Sequence, residues 1–411
     1  MSAAAFGDEP LPDYELSRLP VSERPRPGFD PLGHRLGPIF FYPRLTAGLR
    51  FDSNVYATPT AARSDWALVL SPELTVQYGK PVSGYGKRPQ PFFYEFNLGA
   101  DIYRFREFGN QNRTDAWAKF RSHWDISHEW QFDTSLEAAR RHLKPGDPSA
   151  PVNAASPIPY NDLRASATLT RTLGRFGVAL NGAVRNLSYE NVESFSGDVL
   201  DQSARDGTIY STFIKPFYEF SPDYRGFVRL SANSRNYAGT GTLNRDSSGY
   251  DIRAGLDFAV TPLVFGSVEA GWLSQSYDNP LIRPVEGFVF KGEATWLMTT
   301  LMTAKLSAGR RIGETVSPDY ASRIETAYEA QIDYELLRNL ILSAGAKYSR
   351  DDFQGGLPRQ DDVTKYSFGL DYFMNRYLRL GARYDFISRD STVPIYTYDK
   401  HVVMFNVTAQ Y

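Results

Sequence analysis

From Ile39 to Tyr411 the chain alternates between apolar and polar side chains. Val403, Phe405, Val407, Ala409 and Tyr411 interleave with Met404, Asn406, Thr408 and Gln410. Tyr250, Ile252, Ala254, Leu256, Phe258 and Val260 are set off in the same way from Asp251, Arg253, Gly255 and Asp257. Phe92 through Ile102 and Leu378 through Phe386 repeat the pattern. A period of two is that of a β-strand with two unlike faces. It predicts strands near 39–51, 66–78, 92–104, 114–126, 130–141, 161–172, 176–187, 207–219, 225–236, 249–260, 263–273, 287–298, 300–310, 322–335, 339–349, 364–374, 377–387 and 400–411. That makes about eighteen, and the irregular stretch Thr208–Glu219 leaves sixteen open; either even number suits a single-chain bacterial barrel.

The connections alternate too. Short turns at Ser127–Glu129, Leu173–Arg175, Ser221–Tyr224, Thr261–Pro262 and Asn375–Arg376 are interleaved with longer polar stretches at 52–65, 142–160, 188–206, 237–248, 274–286, 350–363 and 388–399. Short turns on one side and long loops on the other are the habit of outer-membrane barrels, and only 79–91 is longer than its place requires. The expected fold is therefore all-β: a single transmembrane antiparallel up-and-down β-barrel of residues 38–411, with both termini periplasmic. Residues 1–37, rich in proline and charge and without either period, read as an extended periplasmic arm. The amino terminus MSAAAFGDEP lacks an apolar signal core, so Met1 is expected to replace a removed signal.

Composition sharpens this picture. No apolar run approaches the roughly 20 residues of a membrane-spanning helix. The mean hydropathy of -0.40 says little about solubility, because only alternate barrel positions need be apolar. Aromatic residues form 14% of the chain and fall toward strand ends, as membrane-interface girdles do. With no cysteine there is neither a disulfide nor a thiolate site, and a net charge of -2 offers no general footprint for nucleic acid.

Charges concentrate on the face opposite the apolar one. Glu95, Asp101, Lys119, Arg121, Asp125, Glu137, Arg164, Arg229, Arg253, Glu269, Lys291, Glu293, Glu329, Arg379 and Arg383 are the candidate lumen-lining residues. Isolated ions are too costly for lipid or a dry core, so they imply water inside the barrel. Both signs interleave, which predicts no strong preference for anions or cations. Arg229 with Arg235, and Arg379 with Arg383, could grip carboxylates of an acidic polymer bidentately, or simply pair with acids such as Asp371 and Asp385.

Catalytic chemistry finds little support. His34, His123, His128, His142 and His401 form no recognisable motif, and the acid pairs Asp351–Asp352 and Asp361–Asp362 are more often solvated turn residues than activators of water. No cofactor or metal motif appears.

The segments RPRPGFDPLGHRLGPIFFYPRLTAGLRFDSNVYAT (25–58), SDWALVLSPELTVQY (64–78) and SPDYRGFVRLSANSRNY (221–237) resemble the beta-barrel porin 2 family of Gram-negative outer membranes. The resemblance covers nearly the whole chain, is most specific in the arm and in FDSNVYAT, and implies an outer-membrane channel without catalytic residues. Phe405, Val407, Ala409 and Tyr411 resemble the signal read by the barrel-assembly machinery. Exopolysaccharide export, by analogy with comparable ducts, is expected ahead of passive diffusion of small polar solutes, with a sealed structural or adhesive barrel as a third reading. Expected partners are outer-membrane lipids, the assembly machinery and a periplasmic polysaccharide-export component that could bind the arm.

Overall fold

The computed structural model describes residues 19–78, 91–314, 320, 322–354 and 358–411. Eighteen long strands follow one another: β1 Ile39–Asp52, β2 Asp65–Tyr78, β3 Phe92–Phe105, β4 Arg113–Asp125, β5 Trp130–Leu143, β6 Ile158–Leu173, β7 Phe176–Tyr189, β8 Gly207–Ser221, β9 Tyr224–Tyr237, β10 Ser247–Thr261, β11 Val264–Tyr277, β12 Val285–Thr299, β13 Met302–Glu314, β14 Ser322–Leu337, β15 Leu340–Gln354, β16 Arg359–Phe373, β17 Leu378–Ser391 and β18 Tyr398–Gln410. Each pairs antiparallel with its sequence neighbours, and β18 returns to β1 through Val407↔Ala47 and Phe405↔Leu49, which closes the ring. Closure leaves no exposed edge, so every ladder hydrogen bond can be satisfied within a membrane. The irregular stretch Thr208–Glu219 is part of β8, paired on both sides, which settles the count at eighteen. Among the described residues, the helical elements are single turns of 3-10 helix, none long enough to cross a membrane.

Two faces result from the pleat. Leu49, Leu68, Leu136, Leu180, Ile252, Leu306, Phe368 and Phe405 lie on the outer wall and are exposed, where lipid would cover them. The opposite parity points inward. At one end the described connections are tight turns such as Gly174–Arg175, Pro262–Leu263 and Arg338–Asn339; the other carries the longer loops 53–64, 106–112, 144–157, 190–206, 238–246 and 278–284. The connection expected to be long at 79–91 falls outside the described residues apart from Pro91.

The strands extend beyond the expected ones mainly at the loop end. Arg350–Gln354 and Arg359–Val363, expected within a connection, are paired strand, as Phe353↔Arg359 shows. The reason is solvation. Where a strand rises past the lipid, its outer face no longer has to be apolar, so the ladder continues after the apolar alternation has ended. Before β1, His34–Leu36 folds back on Ile39–Phe41 through a turn at Gly37, whose φ of 60° suits glycine.

Candidate functional site

The lumen is the candidate site, and strand parity builds it. All fifteen charged candidates lie on the inner face. Cross-strand geometry then sorts their charges into pairs, because inward side chains on neighbouring strands stand within reach of one another. Arg121 bonds Glu95, and Lys119 lies 3.8 Å from Glu137. Asp162, fully buried, is gripped by both Arg164 (2.6 Å) and Arg185 (2.9 Å). Glu269 accepts from Arg253 at 3.0 Å and from Arg229 at 3.4 Å, and Arg253 also holds Asp251 at 2.7 Å. Lys291 and Glu293 pair at 2.7 Å. Asp101 accepts from Ser71 at 2.5 Å, and Asp125 from Gln131 at 3.2 Å. Glu329 faces Lys347 across the ladder.

The arginine pairs considered as grips for an acidic polymer are engaged. Arg379 bonds Asp371 at 2.6 Å, Arg383 bonds Asp385 at 3.1 Å, and Arg235 donates to Asn233 at 3.2 Å. The adjacent acids are separated by the pleat: Asp351 and Asp361 point inward as ladder partners, while Asp352 and Asp362 point outward. Asp351 is bound by Arg323 at 2.8 Å and Asp361 by Arg359 at 2.9 Å. His142 bonds Asp115, His123 bonds Asp133 and His401 meets the Tyr384 hydroxyl. Among the described residues no group of side chains could hold a metal ion.

Both mouths are narrowed, and by residues that alternation could not reveal. At the loop end, residues 144–157 turn inward and cross the mouth as a chord. The carbonyl of Gly146 accepts from Arg389 of β17 at 2.7 Å and from the Tyr398 hydroxyl of β18 at 3.3 Å. Asn110 and Gln111 both donate to the Ala155 carbonyl, and Ala154 pairs with Ser194, so adjacent loops fix the far part of the chord. Gly146 has a φ of 83°, and a Cβ there would lie 2.8 Å from the Tyr398 hydroxyl oxygen, so both conformation and space require glycine. Beneath Arg359, itself stacked 3.3 Å over Tyr396, a cavity of about 410 Å³ separates residues 148–153 from Arg205 and Arg245. The sequence signal was present in Lys144-Pro-Gly-Asp-Pro148, which reads as a turn but not as an inward one.

At the turn end the arm is not a free leader. Its residues 19–30 form a strap lying on the inner wall of β13 to β18. The Val21 N–H donates to Thr303 Oγ1 at 3.0 Å, and the fully buried Val21 side chain packs with Ile341, Phe373 and Phe29. Glu335, nearly inaccessible, receives Arg24 (3.5 Å), Arg26 (3.8 Å) and Arg338 (3.2 Å). Arg24 also donates to the Thr300 carbonyl, and Lys305 bonds Glu23 at 3.1 Å. Burial pulls the Arg24 and Arg26 guanidinium groups below the ordinary arginine range, and Glu335 works against that shift.

Solved structures resemble this barrel at low identity. The outer membrane protein OpdK of Pseudomonas aeruginosa shares 12% identity at a TM-score of 0.47, covering 90% of this chain and 99% of its own. OccAB2 of Acinetobacter baumannii shares 11% at 0.44, covering 91% and 98%. The siderophore receptor PiuA of the same organism shares 9% at 0.45, covering 92% and 82%. Comparison with curated proteins finds no match. The family model described as "Putative beta-barrel porin 2" spans residues 26–411, which takes in the end of the strap and every strand, and the chain belongs to that family of porin-like outer-membrane barrels.

Proposed function

We propose that the barrel is a selective diffusion channel for small hydrophilic solutes. The inward loop 144–157, docked through Gly146 on Arg389 and Tyr398, carries this reading. A loop folded across the mouth obstructs a long chain far more than a small solute. Exopolysaccharide export, placed first on sequence grounds, fits less well: a polymer must thread this chord and the strap, and the arginines that could grip its carboxylates already hold Asp371, Asp385 and Glu269. A sealed structural or adhesive barrel is disfavoured by the many inward charges, which need water.

We place the turn end, with the strap and both termini, in the periplasm and the loop end outside, since long loops are external in such barrels. The outer wall then meets outer-membrane lipid, and the last strand meets the assembly machinery. No catalytic step is assigned: His123 and His142 are bound to Asp133 and Asp115, and Asp351, Asp361 and Asp362 to arginines, with no nucleophile beside a base among them. The channel is tested by single-channel recording in planar bilayers together with sugar-driven swelling of liposomes. Passage of mono- and disaccharides but not of longer oligomers is expected, with a conductance increase on deleting residues 147–153. Absence of conductance in the intact chain and in the deletion would sink the channel, and ready passage of long polysaccharide would restore the export reading.

A further inference from the structure

Among the described residues, the pairing of lumenal charges is incomplete at the root of the inward loop. Where the inward loop leaves β5, Lys144 projects into the lumen toward the inner faces of β1, β3 and β4, and no hydrogen bond or ion pair engages its ammonium group among the described residues. Three cations surround one aromatic ring there: Arg113, Arg50 and Lys144 lie 3.9, 5.8 and 5.8 Å from the centre of the Tyr103 ring. The acids nearby are committed elsewhere. Asp52 is shared by Arg50 at 3.1 Å and Lys400 at 2.9 Å. Asp115 is held by His142 at 2.8 Å and approaches Arg113 only to 4.0 Å. Asp101 is bonded by Ser71. Arg113 is 5% exposed, and its buried Nε has no hydrogen-bond partner. A cluster of cations whose neighbouring acids are committed elsewhere, opening on the lumen through an unpaired ammonium, is an arrangement that an oxyanion completes.

We propose that Lys144, Arg113 and Arg50, gathered over Tyr103 at the root of the inward loop, form a binding station for small carboxylates in the permeation path. The station rests on the diffusion-channel reading and names the solute class it favours. A carboxylate would accept from the lumen-exposed Lys144 ammonium while the Arg113 and Arg50 charges add attraction from the wall. The wall alternates in sign, so the pore would be nearly indifferent to charge along most of its length and anion-preferring here.

Lys144 also makes the station sensitive to pH. Enclosure by the barrel wall and the neighbouring Arg113 and Arg50 charges lower its pKa, against the opposing pull of Asp115 and Asp101 and of the lumenal water to which its side chain is exposed. Those groups come from β1, β3 and β4; the charge of Lys400 on β18 is taken up by Asp52. Lys144 therefore loses its charge at a lower pH than an isolated lysine, and anion preference falls as pH rises toward the ordinary lysine range.

Two readouts separate the station from the channel. Reversal potentials in a potassium chloride gradient should show anion preference at pH 6.5, lowered at least about twofold by Lys144→Gln and reversed by Lys144→Glu. Line broadening of acetate and benzoate resonances on the folded barrel in detergent measures binding without any need for conduction. Broadening that is lost in Lys144→Gln and Arg113→Gln, in barrels that still resist unfolding by detergent at room temperature, is the expected result. A conducting channel whose reversal potential ignores both substitutions, or carboxylate binding that survives them, overturns the station while leaving the channel intact. Carboxylate binding to a barrel that does not conduct keeps the station and removes the channel.

Discussion

Glu335 holds three arginines, two of them from the strap, in a place water scarcely reaches. Removing such an acid leaves buried positive charges facing one another, a loss of about 3–5 kcal/mol for a buried pair, reduced here because one partner, Arg338, is half exposed. Glu335→Ala should therefore free the strap, and cleavage after Glu23 by a glutamate-specific protease should quicken at least about tenfold, since local opening sets proteolysis. Unchanged cleavage would mean that Val21 and the Thr303 bond hold the strap unaided. Gly146→Val is expected to undock the loop chord, because both φ and the Tyr398 hydroxyl forbid the side chain; bilayer recordings should show a larger and noisier conductance. At this scale the inward direction of each charge was legible in the sequence, because parity alone decides it. Its partner was not. Arg229 reaches Glu269 past the intervening strand that carries Arg253, and no spacing along the chain announces a contact set by barrel register.

The strands were legible as elements because lipid on one side and water on the other impose period two. Their loop-end extensions and the strap were not, for a common reason: neither sits between lipid and water. The strap docks by a few apolar side chains, Val21 and Phe29 among them, a few arginines and backbone groups, in a segment whose prolines remove periodicity altogether, so its sequence resembles a free linker. Its predicted effect is measurable. Deleting residues 19–30 should raise single-channel conductance without changing the reversal potential, because the strap narrows the turn end whereas the Lys144 station lies at the other. A conductance equal to that of the intact chain would show that the loop chord alone sets the resistance.

For the whole molecule the decisive property is closure, and closure makes parity testable. In β18, Val407 lies against Ala47 on one side and Leu380 on the other and faces outward, whereas the adjacent Asn406, between Gly48 and Gly381, faces the lumen. A charge at a lipid-facing midplane position costs about 2–4 kcal/mol for a basic side chain and somewhat less for an acid, while a lumenal charge meets water. Val407→Lys should therefore lower the yield of assembled, heat-modifiable barrel in outer-membrane fractions, and Asn406→Lys should leave it near that of the parent. The two positions are neighbours in sequence and belong to the same terminal strand, so any general effect of altering an assembly signal strikes both. Equal loss at both positions would point to recognition of the strand by the assembly machinery, and equal tolerance would contradict a lipid-facing outer wall. Only the asymmetric outcome follows from a closed barrel whose one face is lipid and whose other is a wet channel.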